Sequence, residues 1–181
     1  GLTRTGPAAD FSFVAKADRI VTPDGGNIAF WGYADEATGI AQYPGPTMIV
    51  DEGATVTVRL KNTLPLPVSI VFPGQEGVTA TGGMAGVTTN EAPGDGLTEV
   101  TYTFTARNPG TYSYYSGTKP ELEIEMGLVG ALIVRPASGP GRAYNSAATA
   151  FDTEYLFLLT DLDPVIHDQV DMGLIASVDL A

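Results

Sequence analysis

The 181-residue sequence has no cysteine and a single histidine, His167. Without cysteine the chain cannot form disulfides, thiolate zinc sites or iron–sulfur clusters, and it has no cysteine nucleophile. One imidazole also cannot supply the several nitrogen ligands that copper sites in proteins prefer. The composition therefore predicts no cofactor bound by this chain alone.

Basic side chains are also few, because 9 Lys and Arg residues face 21 Asp and Glu residues and the formal net charge is −12. A polyanionic surface repels phosphate backbones and anionic lipid headgroups, so we predict no nucleic-acid partner. The same charge favours solubility. No stretch approaches the roughly 20 apolar residues of a membrane-spanning helix. We therefore predict no membrane insertion, and residues 1–7 lack the apolar run of a signal peptide.

Short alternating segments, separated by many of the 22 Gly and 13 Pro residues, dominate the rest of the chain. In residues 55–60, for example, Val56, Val58 and Leu60 alternate with polar side chains, as in a half-buried strand. Asp24-Gly25 is a hairpin signal. No amphipathic helix of ten residues is evident. The predicted strands cover residues 11–15, 19–22, 27–33, 48–50, 55–60, 68–72, 99–106, 111–115, 127–134 and 151–160.

Many short strands with regular turn signals predict an all-β sandwich or barrel. The Gly- and Thr-rich residues 74–96 read as a loop, and the Ala-, Gly- and Ser-rich residues 137–150 read as a linker. We predict an N-terminal arm at residues 1–10 and one domain at residues 11–160. Residues 161–181 would then be a tail or a linker toward a second domain.

Four segments, taken in order, resemble the first domain of multicopper oxidases. The loop and strand of residues 43–53, which contain Pro44-Gly45-Pro46, resemble the start of that domain. Residues 56–64, with an Asn-x-Leu ending at Asn62, resemble its next strand. Residues 91–104 and then residues 109–134 resemble the segments around the second histidine motif of the family. The resemblance runs from about residue 11 to residue 136.

This resemblance implies a cupredoxin-like Greek-key β-sandwich and a copper-dependent oxidoreductase, which in such families is often periplasmic or extracellular. The first domain of the family usually supplies two His-x-His pairs to a trinuclear copper cluster. Here the four ligand positions match Val71, Pro73, Tyr115 and Gly117. Of these only the Tyr115 phenol has a lone pair to offer, and one phenol does not make a copper cluster. We therefore predict that this chain has no catalytic residue and no copper ligand, and that copper belongs to a missing domain.

Three further groups of residues have two interpretations each. His167 reads as a surface or linker histidine, or as a ligand to copper shared with another domain. Glu121, Glu123 and Glu125 alternate, which predicts the solvated edge of a strand, with a weak cation site as the alternative. The same pair of interpretations applies to the acidic residues that follow, Asp161, Asp163, Asp168 and Asp171.

The tyrosines of residues 112–115 predict core packing on one face of a strand and the lining of the vacated copper pocket on the other.

Two functional hypotheses follow. The first is a structural or assembly domain that packs against other cupredoxin domains, or forms a homo-oligomer, while redox chemistry takes place elsewhere. The alternative is a stand-alone, non-catalytic binding module that uses the vacated copper pocket.

Overall fold

The computed structural model describes residues 7–178, which form two packed β-sheets, as an all-β sandwich requires. The larger sheet has six strands and the smaller has three. The strands of the six-stranded sheet are β1 (Ala8–Val21), β2 (Asn27–Asp35), β3 (Ala41–Gln42), β5 (Thr55–Asn62), β6 (Thr79–Gly82) and β9 (Val100–Thr105), in the order β3-β2-β1-β5-β9-β6. Those of the three-stranded sheet are β10 (Gly110–Tyr115), β11 (Val129–Arg135) and β4 (Met48–Asp51), in that order.

The alternation of β5 is the clearest agreement between sequence and fold. Val56, Val58 and Leu60 are fully buried, whereas the intervening side chains are exposed or half-buried. Asn62 ends the strand with its amide buried: Nδ2 donates to the carbonyls of Leu66 and Ala92, and Oδ1 accepts from the Leu64 N–H. The polar residue of the Asn-x-Leu ending thus fixes the loop that leaves the sheet.

β1 is one long strand where the sequence predicted two. Its first half pairs in parallel with β5, and its second half pairs antiparallel with β2 through the predicted Asp24-Gly25 hairpin. Residues 8–10 of the predicted N-terminal arm already belong to this strand, and residues 1–6 lie outside the described residues.

Two other local predictions were wrong. Residues 74–96 were predicted as loop but contain β6 and the short pair β7 (Met84–Ala85) and β8 (Asn90–Glu91). Residues 68–72 were predicted as a strand but make only isolated bridges, from Val68 to Ala92 and from Val71 to Tyr115. The backbone nevertheless enters the core, because Val68, Ile70 and Phe72 are buried.

The core lies between the two sheets and is rich in aromatic rings. Tyr114 from β10 lies 6.1 Å from the stacked ring of Phe13 and 5.6 Å from the ring of Tyr33, measured between ring centroids. Phe72 packs against the same tyrosine. Tyr114 therefore has the predicted core role, whereas Tyr112 is half-buried. Near this core, the peptide bond between Tyr43 and Pro44 is cis.

Within the described residues, helical structure is confined to short pieces, namely α1 (Pro120–Glu123), α2 (Pro164–Asp171) and two 3₁₀ turns (Ala147–Thr149 and Ile175–Ser177). α2 packs against β2, and its Val170 joins the core, so this part of the predicted tail covers the domain. Residues 151–160 have no regular secondary structure, and the predicted buried strand is wrong because they pair with no described strand and are largely exposed. No helix among residues 7–178 is long and apolar enough to cross a membrane.

Candidate functional site

The positions that the resemblance assigns to copper ligands meet at the bridge between residue 71 and β10. The Val71 N–H donates to the Tyr115 carbonyl at 2.8 Å, and the Tyr115 N–H donates to the Val71 carbonyl at 3.3 Å. Gly117 lies two residues beyond Tyr115 and contacts the Val71 side chain. The fold thus brings Val71, Tyr115 and Gly117 together, while Pro73 is exposed.

The space at Gly117 is already filled. A Cβ atom added there would lie 2.6 Å from Cγ1 of Val71 and 3.3 Å from Oγ of Ser69. Such distances are closer than van der Waals contact, so even a methyl group forces the neighbours to move. The Val71 side chain has no lone pair, and any side chain at residue 117 must displace the Val71 methyl group. These residues do not fit the copper cluster that the family implies.

Tyr115 borders a different space, a groove of about 560 Å³ on the outer side of β10. Ser113 and Tyr115 form its floor, and Leu158 and Leu159 lie against it. Glu121, Glu125 and Asp161 make part of its rim acidic.

A buried network of hydroxyl groups lies behind Gly117. Ser69 Oγ accepts from the Gly117 N–H at 3.1 Å and lies 2.9 Å from Thr118 Oγ1. Thr118 Oγ1 also lies 2.9 Å from Glu91 Oε1. Ser116 Oγ, at the centre of the turn, donates to Glu123 Oε2 at 2.5 Å.

Glu123 is the acidic end of this network and is completely buried. Burial raises its pKa to about 8, against the opposing effect of the hydrogen bond from Ser116. Its Oε1 atom has no hydrogen-bond partner among the described residues. The predicted solvated strand edge is therefore wrong for Glu123, because Pro120 begins a helical turn that points this carboxyl inward.

The Glu123 carboxyl also affects the aromatic core. The Tyr33 hydroxyl donates to the Ser69 carbonyl at 2.8 Å. Burial, and then the nearby Glu123, raise the pKa of the Tyr33 phenol well above its usual value. We infer from the environment that both groups are neutral near pH 7, which lowers the cost of burying them.

His167 is buried, so the prediction of a surface histidine is wrong. Its Nδ1 atom lies 2.5 Å from the Ala29 carbonyl oxygen, and its Nε2 atom lies 3.0 Å from the Glu125 carbonyl oxygen. Neither nitrogen of His167 therefore points to an open position for a shared metal.

The acidic residues near His167 have structural roles. Asp163 caps α2 by accepting from the Val165 N–H, and Asp171 pairs with Arg19 at 2.6 Å. Within residues 7–178, no group of three or more His, Asp or Glu side chains is placed to hold a metal ion. The sequence contained one signal for the capped helix, because Asp163 and Pro164 are the residues that start helices.

Comparison with known proteins gives a consistent family. A family model described as multicopper oxidase matches residues 22–139. The chain is 28% identical over 149 residues to the multicopper oxidase MCE of Talaromyces pinophilus, covering 75% of the chain and 24% of that protein. It is 34% identical over 124 residues to an L-ascorbate oxidase of Cucurbita maxima, covering 66% of the chain and 20% of that protein.

Solved structures agree with this result. A multicopper oxidase from Pseudomonas thermotolerans superposes with a TM-score of 0.61 at 23% identity, over 76% of this chain and 32% of that one. A laccase from Botrytis aclada superposes with a TM-score of 0.58 at 28% identity, over 79% of this chain and 24% of that one. The predicted all-β, cupredoxin-like Greek-key sandwich is confirmed. The chain spans about a quarter of these curated relatives or less.

Proposed function

Because the chain belongs to the multicopper oxidase family, we propose that it is a cupredoxin-like domain of a larger copper-dependent oxidoreductase, with a structural role and no copper of its own. Residues 11–160 are the domain in this proposal. Of residues 161–181, α2 packs on this domain, and the other residues lead toward a second one. Copper and catalysis belong to that other part of the protein. The family also supports a periplasmic or extracellular location.

The observation that carries the copper-free role is the contact between Gly117 and Val71. A retained but empty copper site would leave space where the imidazoles belong. Here the aliphatic side chain of Val71 occupies that space, and a Cβ on Gly117 would be 2.6 Å from it. The packing also weakens the alternative of a binding module, since the vacated pocket on which that alternative relies is closed at Gly117.

Residues 152–159 support the role in assembly. Tyr155, Phe157 and Leu159 are 80%, 80% and 89% exposed, and they alternate with the less exposed Leu156 and Leu158, as the side chains on one side of a strand do. None of the backbone N–H or C=O groups of residues 152–159 bonds to another described residue. An apolar segment with open backbone groups is a surface on which another strand can pair.

The segment is held in place at both of its ends. The Arg135 guanidinium pairs with the Glu154 carboxylate, and the Tyr43 hydroxyl contacts Thr160 Oγ1 at 3.1 Å and donates to the Asp161 carbonyl at 3.0 Å. We propose that its partner is a strand of another cupredoxin domain of the same polypeptide. A homo-oligomer has less support, because two copies with a net charge of −12 repel each other.

Copper binding is tested by incubating the purified chain with copper and measuring its mass by native mass spectrometry. We expect a mass near 18.9 kDa without stoichiometric copper. The variant His167→Gln is the matched control, since it removes the sole imidazole. Several tightly bound coppers per chain would refute the copper-free role, and loss of that copper in the variant would identify His167 as a ligand.

Assembly is tested in the full-length parent protein by hydrogen exchange. We expect the amides of residues 152–159 to be strongly protected there and unprotected in the 181-residue chain. The double variant Tyr155→Ser, Phe157→Ser should weaken the domain contact, whereas Leu97→Ser, which changes an exposed leucine elsewhere, should not. A gene that ends at residue 181 without a further cupredoxin domain would contradict this part of the proposal.

A further inference from the structure

The buried imidazole of His167 joins three parts of the chain that are distant in sequence. The ring belongs to α2, Nδ1 contacts the carbonyl of Ala29 in β2, and Nε2 contacts the carbonyl of Glu125 between α1 and β11. α2 makes its main packing contact with β2. His167 is therefore the polar attachment of the C-terminal helix to the sandwich.

The two contacts demand a particular form of the ring. A carbonyl oxygen only accepts hydrogen bonds, and a neutral imidazole has one N–H group and one bare nitrogen. In the neutral form one ring nitrogen of His167 would face a carbonyl oxygen, lone pair against lone pair, in a buried site. Only the imidazolium can donate to both carbonyls, and these two hydrogen bonds offset the cost of burying its charge.

The charges around the ring favour the same form. Glu125 places Oε1 at 3.7 Å from Nε2, and the same oxygen accepts from the Asp163 N–H at 2.6 Å. β2 presents the Ala29 carbonyl, and its residues 27–34 carry no charge. On α2 itself, Asp168 follows the ring, and Asp171 is paired with Arg19 of β1 at the far end of the helix. Asp18 of β1 lines the cavity shared with Val170.

We propose that His167 is a pH-sensitive latch, whose protonated ring holds α2 on β2 and whose deprotonation releases the helix. On loss of the proton, one of the two contacts becomes a repulsion, and α2 then has few other attachments. Val170 packs in the core and the Arg19–Asp171 pair is half-exposed, so neither fully replaces the lost contact. This inference rests on the geometry of the described chain and does not depend on whether copper is bound.

The chain offers an unusually clean test, because it has one histidine and one tryptophan. Nitrogen-15 spectra of the imidazole report the protonation of His167 directly. Trp31 is buried beside Met126 and Val170 at a cavity of about 260 Å³ under α2, so its fluorescence reports the position of the helix. Hydrogen exchange of residues 166–172 reports the opening of the helix itself.

In the wild-type chain we expect the protection factors of these amides, the intrinsic rate at each pH divided by the observed rate, to fall about tenfold as the ring loses its proton, because one buried hydrogen bond is worth about that factor in the opening equilibrium. In His167→Gln the protection factors should be low at every pH and follow no titration. Val165→Ala, which shortens an exposed side chain on the same helix, should keep the wild-type pH dependence. Protection of the β5 amides in all three proteins shows that the sandwich remains folded.

The variants also separate a latch from a purely structural histidine. If His167 only fills space, Gln should slow or leave unchanged the exchange of α2, and the wild-type exchange should not follow the ring titration. Two results would overturn the proposal. The first is a ring that stays neutral while the amides of α2 are protected. The second is exchange at residues 166–172 that does not depend on the titration of the ring.

Discussion

The buried carboxyl of Glu123 makes a quantitative prediction about stability and pH. We consider the variant Glu123→Gln, which keeps the size of the side chain and an oxygen that can accept from Ser116 Oγ, but removes the titration. In the wild-type chain the pKa of Glu123 is about 8 when folded and 4.5 in its ordinary state. Between these values the folded protein holds the proton and the unfolded chain does not.

The sign of the effect follows from this difference. Unfolding releases a proton between about pH 4.5 and pH 8, so the contribution of Glu123 to the free energy of unfolding falls as the pH rises through that range. One pKa unit corresponds to about 1.4 kcal/mol, which makes the loss roughly 4 kcal/mol between pH 5 and pH 8. The Gln variant has no such loss. Its stability relative to wild type should therefore increase by roughly the same amount over this range.

Urea denaturation followed by Trp31 fluorescence measures this difference at each pH. The difference between the two proteins cancels the contributions of the other carboxyl groups, including Asp24, Asp95 and Glu154, whose pKa values are lowered by their hydrogen bonds. Parallel stability curves for wild type and variant from pH 5 to pH 8 would show that Glu123 is ionised in the folded protein. The reasoning from burial would then be wrong.

Three smaller perturbations follow from single contacts. Gly117→Ala should lower the free energy of unfolding, measured in urea, by about 1–3 kcal/mol, because its methyl group collides with Val71. Adding Val71→Ala to the same chain should recover part of this loss. An unchanged free energy of unfolding in Gly117→Ala would contradict the close packing at Gly117. Asn62→Leu should cost about 2 kcal/mol or more, since it leaves the Leu66 carbonyl and the Leu64 N–H unpaired while the Ala92 carbonyl keeps its bond from the Val68 N–H. A cost below about 1 kcal/mol would mean that water replaces these contacts. Tyr43→Phe should accelerate hydrogen exchange near Thr160 without changing the urea midpoint, and equal exchange would show that the phenol does not hold the segment.

The sequence predicted the sandwich well where the burial of a strand depends on local alternation. The pattern of Val56, Val58 and Leu60 repeats in the structure as buried positions of β5, and residues 100–105 of β9 behave alike. In such strands each residue on the inner face meets the same core, so a period of two is enough to place it.

The sequence did not predict the burial of Glu123 or of His167, and the reasons are physical. Glu123 is two residues from both Glu121 and Glu125, which suggests a strand, but Pro120 favours a helical turn and reverses the inference. His167 is buried by contacts to Ala29 and to residue 125, which no local pattern reveals. The unpaired segment at residues 152–159 was predicted as a strand from its apolar residues, and local sequence does not report whether a partner strand is present.

The double pairing of β1 has a consequence for how the chain folds. Its hairpin with β2 is local, whereas its parallel pairing joins Ala8 to Thr55, and the β4–β11 pairing joins Met48 to Leu132. Each parallel pairing requires a long loop to close, and this costs conformational entropy before the pairing makes any stabilising contact. Such high contact order slows folding into the range of milliseconds to seconds. The hairpin can therefore form early, while the first half of β1 waits for β5. During that interval the edge of the nascent sheet is open to other chains, so the rate of folding sets how much of this protein is lost to aggregation.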